Sequence, residues 1–164
     1  MAIKAALVSK MCRILVVDDN EPVRRSIRTL LGSRKGWFVC GEAADGLQAV
    51  QEAKSLRPDL IIMDVSMPKM NGLDAAVIIL REVRESRILI ISQNDPDIVR
   101  RQTVEANAHG FVAKSNIHSE LIETIEGILS ADGGPKIGKR VKARFCKGTP
   151  SSSGIAEIDT ILKG

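Results

Sequence analysis

The sequence contains very few aromatic side chains. Phe, Trp and Tyr together make up 2% of the 164 residues, Tyr is absent, and Trp37 is the single tryptophan. Proteins that bind single-stranded nucleic acid without sequence preference stack its bases on aromatic side chains, so the composition argues against such a surface. Hydrophobic residues nevertheless make up 44% of the chain, and we expect them to form an aliphatic core.

Cysteines and long apolar runs are also scarce. Cys12, Cys40 and Cys146 are widely separated, no C-x-x-C pair occurs, and His109 and His118, which we expect at the surface, lie far from any cysteine. Zinc sites and disulfide frameworks need closely spaced or paired cysteines, so we expect reduced thiols in a cytoplasmic protein. A bilayer-spanning helix needs roughly 18 apolar residues in succession. No run approaches that length, and we expect no membrane partner.

The net charge of +4 is concentrated near the C-terminus. Residues 1–130 contain 17 basic and 17 acidic side chains, whereas residues 131–164 contain 7 basic and 3 acidic ones. A Gly-Gly-Pro sequence at 133–135 separates the two parts. We predict an N-terminal extension at 1–11, a folded domain at 12–130, and a basic linker or tail at 131–164 that has a short C-terminal helix but no complete second domain.

Strand-like apolar runs alternate with segments of helical spacing. We predict five strands, at about 13–17, 37–42, 60–64, 88–92 and 110–113. We predict five helices, at about 21–33, 45–56, 72–85, 95–108 and 118–130.

Nearly continuous apolar strands are typical of a parallel sheet with helices on both faces. The predicted fold class is therefore α/β: a doubly wound, five-stranded parallel sheet with the flavodoxin-like strand order 2-1-3-4-5. In the helix at 72–85 we expect Leu73, Ala76, Val77 and Leu80 to face the core, and the preceding helix carries the apolar residues Leu47, Val50 and Ala53.

Polar side chains follow the predicted strands at the points where they end. Asp18 and Asp19 come directly after the first strand, and Asp64 ends the third. Ser92 ends the fourth strand, and Lys114 follows the fifth. The carboxyl ends of parallel strands lie at one edge of the sheet, where ligands bind. We therefore expect these five side chains to form one site.

Such a site has a definite chemistry. Three carboxylates within a few ångströms of one another need a cation or a raised pKa, and Mg²⁺ suits them because it prefers oxygen ligands and retains waters and substrate oxygens. Asp64 would then attack a phosphorus atom. Lys114 would supply positive charge to the transferring group, and Ser92 would donate its hydroxyl to a phosphoryl oxygen.

Each residue has a simpler explanation when it is considered alone. Asp18, Asp19 and Asn20 are residue types that cap helices. Ser92 would be a strand-end hydroxyl bonded to the backbone, and Lys114 an exposed surface lysine. The specificity of the prediction lies in the complete set.

The set closely resembles the receiver domain of bacterial two-component response regulators. The resemblance covers roughly residues 12–130, and the combination of motifs at these spacings is highly specific. The matching segments are Val16-Val17-Asp18-Asp19-Asn20, Asp64-x-x-Met67-Pro68-x-x-x-Gly72, Ile91-Ser92 and Gly110-Phe111-x-x-Lys114.

The resemblance implies that the chain is a phosphoprotein of a phosphorelay. It would promote its own phosphorylation and dephosphorylation, and no other reaction. Asp64 would accept the phosphoryl group from a sensor histidine kinase. Asp19 would ligate Mg²⁺ directly, Asp18 largely through water, and the backbone carbonyl of Ser66 would be a further ligand.

The resemblance also implies a switch. Ser92 would be the switch hydroxyl, Phe111 the switch aromatic and Lys114 the phosphate-binding lysine. The face formed by the fourth helix, the fifth strand and the fifth helix would then repack for partner binding or for a homodimer.

Three positions depart from the commoner pattern. Gln93 replaces a small residue and is expected to restrict access by a phosphatase, a partner or water. Phe111 lacks the hydroxyl of the usual Tyr. Ser115 replaces Pro. The resulting Lys-Ser pair resembles the one at this position in the subfamily whose output is a helix-turn-helix DNA-binding domain.

The alternative function is a truncated DNA-binding transcriptional regulator whose basic tail contacts nucleic acid. Two enzyme classes fit less well. A phosphatase of the haloacid dehalogenase type would need an Asp-x-Asp pattern after its first strand, and a dinucleotide-binding domain would need a G-x-G-x-x-G motif after a strand. The sequence has neither.

Overall fold

The structure, a computed structural model, describes residues 11–131. The predicted basic tail, its C-terminal helix and nearly all of the predicted N-terminal extension lie outside the described residues. Within residues 11–131, no helix is long and apolar enough to cross a membrane.

Strands and helices alternate along the described residues. The strands are β1 (Cys12–Val17), β2 (Trp37–Ala43), β3 (Leu60–Asp64), β4 (Arg87–Ser92) and β5 (Gly110–Ala113). The helices are α1 (Glu21–Gly32), α2 (Gly46–Leu56), α3 (Gly72–Glu82), α4 (Pro96–Glu105) and α5 (Ile117–Ser130). A short 3₁₀ turn, Lys114–Asn116, joins β5 to α5.

The five strands form one parallel sheet in the order β2-β1-β3-β4-β5. This confirms the predicted fold class and strand order. The order reverses between β1 and β3, because the chain runs from β1 to β2 on one side and then crosses back to β3 on the other. Ligands of such sheets bind beyond the carboxyl ends of the strands at this switch point.

Alternate side chains of each strand enter two separate hydrophobic clusters. In β1, Leu15 and Val17 pack with residues of α2, α3 and α4 on one face. Ile14 and Val16 pack with residues of α1 and α5 on the other face. All four are inaccessible to solvent. The buried members of both clusters are aliphatic side chains, Met63 and Cys12, which confirms the aliphatic core predicted from the composition.

Short polar side chains begin four of the helices. Each accepts a hydrogen bond from a backbone N–H of the first helical turn, and each lies at the carboxyl edge of the sheet: Asn20, Asp45, Asn71 and Asp95. Such caps typically stabilise a helix by about 1 kcal/mol each. They fix where the helices start, and so they define the loops that surround the predicted site.

Two helices end earlier than the sequence predicts. α3 ends at Glu82 because Val83 leaves the helical conformation, with φ −128° and ψ 76°, and is itself buried. α4 ends at Glu105 because Asn107 adopts a φ of 57°, in the left-handed region that stops a helix. Both endings depend on the local backbone, which the apolar spacing does not reveal.

The core-facing side of α3 largely agrees with the prediction. Ala76 is buried, and Leu73 and Leu80 are partly buried and pack against the same hydrophobic cluster. Val77 is partly buried. The helix starts at Gly72 in contact with the backbone of Asp64. The buried side chains of this helix are Ala75, Ala76, Ile78 and Ile79.

The apolar residues of α2 differ in burial: Ala53 is buried, Val50 packs against the core, and Leu47, in the first turn, is 46% exposed. One histidine contradicts its predicted environment. His109 is half-buried rather than at the surface, because its Nδ1 accepts a hydrogen bond from the Ile88 N–H at 3.0 Å. Burial and the nearby charge of Arg87 lower the pKa of His109. His118 is exposed, as predicted.

We predict that Gly72→Ala destabilises the fold, although alanine normally favours a helix over glycine. A Cβ at Gly72 would lie 1.8 Å from the carbonyl oxygen of Asp64, so the backbone that carries Asp64 must shift. We expect a loss of roughly 2–3 kcal/mol in the free energy of unfolding, measured by urea denaturation.

Gly127→Ala is the matched control, because a Cβ at this position in α5 meets nothing within 4 Å. We expect this variant to gain up to about 1 kcal/mol. A gain in both variants would contradict the close contact between Gly72 and Asp64.

Candidate functional site

Three carboxylates meet at the switch point of the sheet. Asp18 and Asp19 follow β1, and Asp64 ends β3, whose residue Met63 pairs with Val17. One oxygen of each carboxylate lies within 4.8 Å of one oxygen of the other two. Asp18 and Asp64 are buried and Asp19 is exposed, so the cluster opens to solvent on the side of Asp19.

Asp18 is fixed by contacts from four directions. Its Oδ1 accepts a hydrogen bond from the Asn20 N–H at 2.8 Å, and its own N–H donates to the Ala43 carbonyl at 3.1 Å. Its carbonyl accepts from Arg24 Nη1 at 2.6 Å. Its Oδ2 lies 2.7 Å from Lys114 Nζ. The position of this carboxylate is therefore determined before any ligand binds.

Lys114 supplies a positive charge beside the carboxylates of Asp18 and Asp64. Its Nζ lies 2.7 Å from Asp18 Oδ2 and 3.3 Å from Asp64 Oδ2, and its side chain is 11% exposed. Burial alone would lower the pKa of Lys114, but the contacts with Asp18 and Asp64 outweigh it and raise this pKa above the usual value. The ammonium group therefore stays charged and bridges the two buried carboxylates.

One ammonium group does not neutralise three carboxylates. Burial, followed by the charge of Asp18, raises the pKa of Asp64 from 3.8 to about 6, although Lys114 opposes the shift. Asp18 Oδ2 is buried and has no well-directed hydrogen bond in the described part of the chain, so Lys114 serves it as an ion-pair partner only. The excess of two negative charges and the all-oxygen donor set fit a divalent cation such as Mg²⁺.

The loop that follows Asp64 is anchored to the start of α2. The Gly46 N–H donates to the Met70 carbonyl at 3.1 Å, and a Cβ at Gly46 would lie 2.3 Å from that oxygen. Lys69 adopts a φ of 67°, and its Nζ lies 3.4 Å from Oδ2 of Asp45, which caps α2. Ser66 is an exposed residue of this anchored loop.

Ser92 lies at the end of β4, beside the strand that leads to Lys114. It pairs in register with Ala113 and is 1% exposed. Its Oγ accepts a hydrogen bond from the Asn94 N–H at 3.0 Å, which leaves the hydroxyl proton available for a ligand. Gln93 is exposed and lines a cleft of about 570 Å³ together with Ser92 and Lys114.

Phe111 occupies a different position from the other predicted residues. It lies on β5, where it pairs with Ile90, and it is partly buried against the cluster that includes Val99 of α4. Its ring therefore belongs to the α4 side of the sheet, three residues before Lys114. This is the face that the sequence predicts as the switch.

The residues that hold Asp18 are not predicted from the sequence. Asn20 is there a candidate helix cap and part of the receiver motif, and Arg24 belongs to none of the matching segments. Both lie in or next to the first turn of α1, which follows the Asp18-Asp19 pair directly. A basic residue one turn into a helix that begins at an acidic pair is a sequence signal that could have identified Arg24.

Comparison with known proteins decides the family. Residues 14–126 match the model of the response regulator receiver domain. The chain belongs to this family. Receiver domains are phosphorylation-dependent signalling modules of two-component systems rather than enzymes that convert separate substrates.

Individual relatives agree with this assignment. The receiver is 31% identical to LiaR, a transcriptional regulatory protein of Bacillus subtilis, over 82% of this chain and 63% of LiaR. It is 31% identical to the chemotaxis protein CheY of Thermotoga maritima over 71% of this chain and 96% of CheY. The chain thus spans nearly all of CheY but less than two thirds of LiaR.

A solved structure supports the fold of the receiver. The two-component response regulator of the LuxR family from an Aurantimonas species superposes with a TM-score of 0.72. It is 33% identical in sequence and covers 82% of this chain and 94% of its own.

We predict that Asp64→Asn stabilises the receiver when no divalent cation is present. Because the folded state raises the pKa of Asp64 from 3.8 to about 6, ionisation of this carboxylate opposes folding, and the penalty reaches its full size above about pH 6. The penalty vanishes below about pH 4, where Asp64 is protonated in both the folded and the unfolded state. We expect a gain of roughly 1–3 kcal/mol in the free energy of unfolding near pH 7.5, measured by urea denaturation.

The gain from Asp64→Asn should shrink as the pH falls from about 6 to about 4, and also when Mg²⁺ is added. Asp97→Asn is the control, because that side chain is 86% exposed in α4, and we expect no comparable gain. A gain from Asp64→Asn that is independent of pH would contradict the account based on charge.

Proposed function

We propose that Asp64 accepts a phosphoryl group from the phosphohistidine of a sensor histidine kinase in a Mg²⁺-dependent reaction. The observation that supports this most directly is the contact of 3.3 Å between Asp64 Oδ2 and Lys114 Nζ, within a cluster of carboxylates that carries excess negative charge. The chain would promote its own phosphorylation and dephosphorylation, and no other reaction.

The metal ligands in this proposal are Asp19, Asp64 and the backbone carbonyl of Ser66, with Asp18 acting largely through water. A bound Mg²⁺ would supply positive charge that neutralises the carboxylates and the phosphoryl oxygens. Asp18 would have a second role. Its Oδ2 lies 2.7 Å from Lys114 Nζ, and this contact keeps the ammonium group beside Asp64.

The transfer itself needs one nucleophile and two groups that bind oxygen. A carboxylate oxygen of Asp64 forms a bond to phosphorus as the bond from phosphorus to the histidine nitrogen breaks, and the electron pair of that bond stays on the imidazole. The Lys114 ammonium and the Ser92 hydroxyl bind the phosphoryl oxygens. Gln93, at the edge of the adjoining cleft, would limit the access of water to the acyl phosphate.

The proposed signal passes through Ser92 and Phe111. Movement of Ser92 toward the phosphoryl group would open space that Phe111 fills, and the surface of α4, β5 and α5 would repack. α4 exposes Ile98 to 47% and Val104 to 37%. These apolar side chains support a homodimer or a partner contact on this surface.

We predict that the chain incubated with Mg²⁺ and acetyl phosphate gains one acid-labile phosphate, measured by intact mass. Asp64→Asn should gain none, because an amide cannot form the acyl phosphate. Asp97→Asn, an exposed carboxylate of α4, should be labelled like the wild type. Equal labelling of Asp64→Asn and the wild type would refute the assignment of Asp64.

A second candidate function is transcriptional regulation. It is favoured by the 33% identity to the response regulator of the LuxR family and by the basic composition of residues 131–164. If the chain binds DNA, gel-shift affinity should fall steeply between two salt concentrations, because phosphate contacts release counterions. Deletion of residues 132–164 should abolish this binding. Full binding by the shortened chain would argue against a role for the basic residues.

A further inference from the structure

Arg24 connects the acidic cluster to the first turn of α1 and to strand β2. Its Nη1 donates to the backbone carbonyl of Asp18 at 2.6 Å, and its side chain is 16% exposed. The same guanidinium pairs with Glu21 through Nη2 and lies 3.3 Å from Glu42 Oε1 through Nε. One side chain thus joins the loop after β1, the first turn of α1 and strand β2.

The charge of Arg24 is balanced within a local network. Arg28 Nη1 lies 2.5 Å from Glu42 Oε2, and its Nη2 lies 3.3 Å from Glu21 Oε1. Two arginines therefore alternate with two glutamates, and the more exposed Arg25 also lies 3.9 Å from Glu21 Oε1 at the edge of the network. In such a network Arg24 is a strong hydrogen-bond donor to the Asp18 carbonyl, and the two glutamates offset most of the positive charge near the cation site.

The carbonyl of Asp18 matters because it belongs to the peptide that joins Asp18 to Asp19. The N–H of Asp18 is held by Ala43 of β2, next to Glu42, so the same part of β2 restrains this segment from both sides. No hydrogen bond or ion pair from residues 11–131 restrains the carboxylate of Asp19, which is exposed. The direction of the Asp19 side chain therefore depends on the orientation of its backbone.

We propose that Arg24 is a positioning residue of the metal site: it fixes the Asp18–Asp19 peptide and thereby aims the Asp19 carboxylate at the cation. The proposal deepens the proposed function and rests on its assignment of Asp18, Asp19 and Asp64 to Mg²⁺. Groups outside the ligand set that orient metal ligands commonly change metal affinity by tenfold or more.

A positioning role and a purely electrostatic role of Arg24 predict opposite effects of Arg24→Gln on the affinity for Mg²⁺. If Arg24 acted only through its charge, its removal would tighten the binding of a cation, because a nearby positive charge is lost. If Arg24 positions the peptide, its removal weakens binding. Arg28→Gln removes an equal charge from the same two glutamates without touching the Asp18 carbonyl, and it is the matched control.

The experiment measures Mg²⁺ affinity of the full chain by isothermal titration calorimetry at low and high ionic strength. We expect Arg24→Gln to bind Mg²⁺ about tenfold more weakly than the wild type at both ionic strengths. We expect Arg28→Gln to bind as tightly as the wild type, or more tightly at low ionic strength. Arg24→Lys, which can still donate one hydrogen bond, should recover part of the affinity.

Folding is monitored in parallel by urea denaturation, since a purely structural loss would lower stability without changing the affinity of the folded protein. If Arg24→Gln does not fold, Arg24→Lys and Arg28→Lys are compared, and only the former should lose affinity. The positioning role would be overturned if the Arg24 and Arg28 variants of a pair bound Mg²⁺ equally tightly, or if Arg24→Gln bound it more tightly than the wild type. Either result would leave the proposed function intact. A wild-type chain that binds no Mg²⁺ would overturn both.

Discussion

The mutual repulsion of three carboxylates at one edge of the sheet is the constraint on which the rest of the site depends. Lys114 bridges Asp18 and Asp64 at 2.7 and 3.3 Å, yet the pKa of Asp64 is still raised to about 6. The folded state thus tolerates a concentration of negative charge that a divalent cation relieves. Above about pH 6, where Asp64 is ionised as its proposed phosphorylation requires, this repulsion lowers the free energy of unfolding.

Close backbone contacts and hydrogen bonds surround the charged groups of the site. Gly72 lets α3 begin against the backbone of Asp64, and Gly46 lets α2 approach the loop that follows it. Asp18 is held through its side chain and through both of its backbone groups. Close packing and short hydrogen bonds keep the carboxylates in place despite their repulsion.

Much of the fold and the site could be predicted from the sequence, because the relevant patterns are local. Apolar runs that end in Asp18, Asp64 or Ser92 place these residues at one edge of a parallel sheet, and the structure brings Asp18, Asp19, Asp64 and Lys114 together there. Features that depend on contacts between distant segments could not be predicted. The environment of His109 and the contact of Arg24 with the Asp18 carbonyl are of this kind.

The sequence by itself determined which chemical groups are present, their order along the strands and the family to which they belong. Only the tertiary structure decided which groups restrain one another, because hydrogen bonds such as that between Arg24 and the Asp18 carbonyl join a helix to a loop through space. The same holds for the raised pKa of Asp64, since burial and the distance to Asp18 exist only in the folded chain.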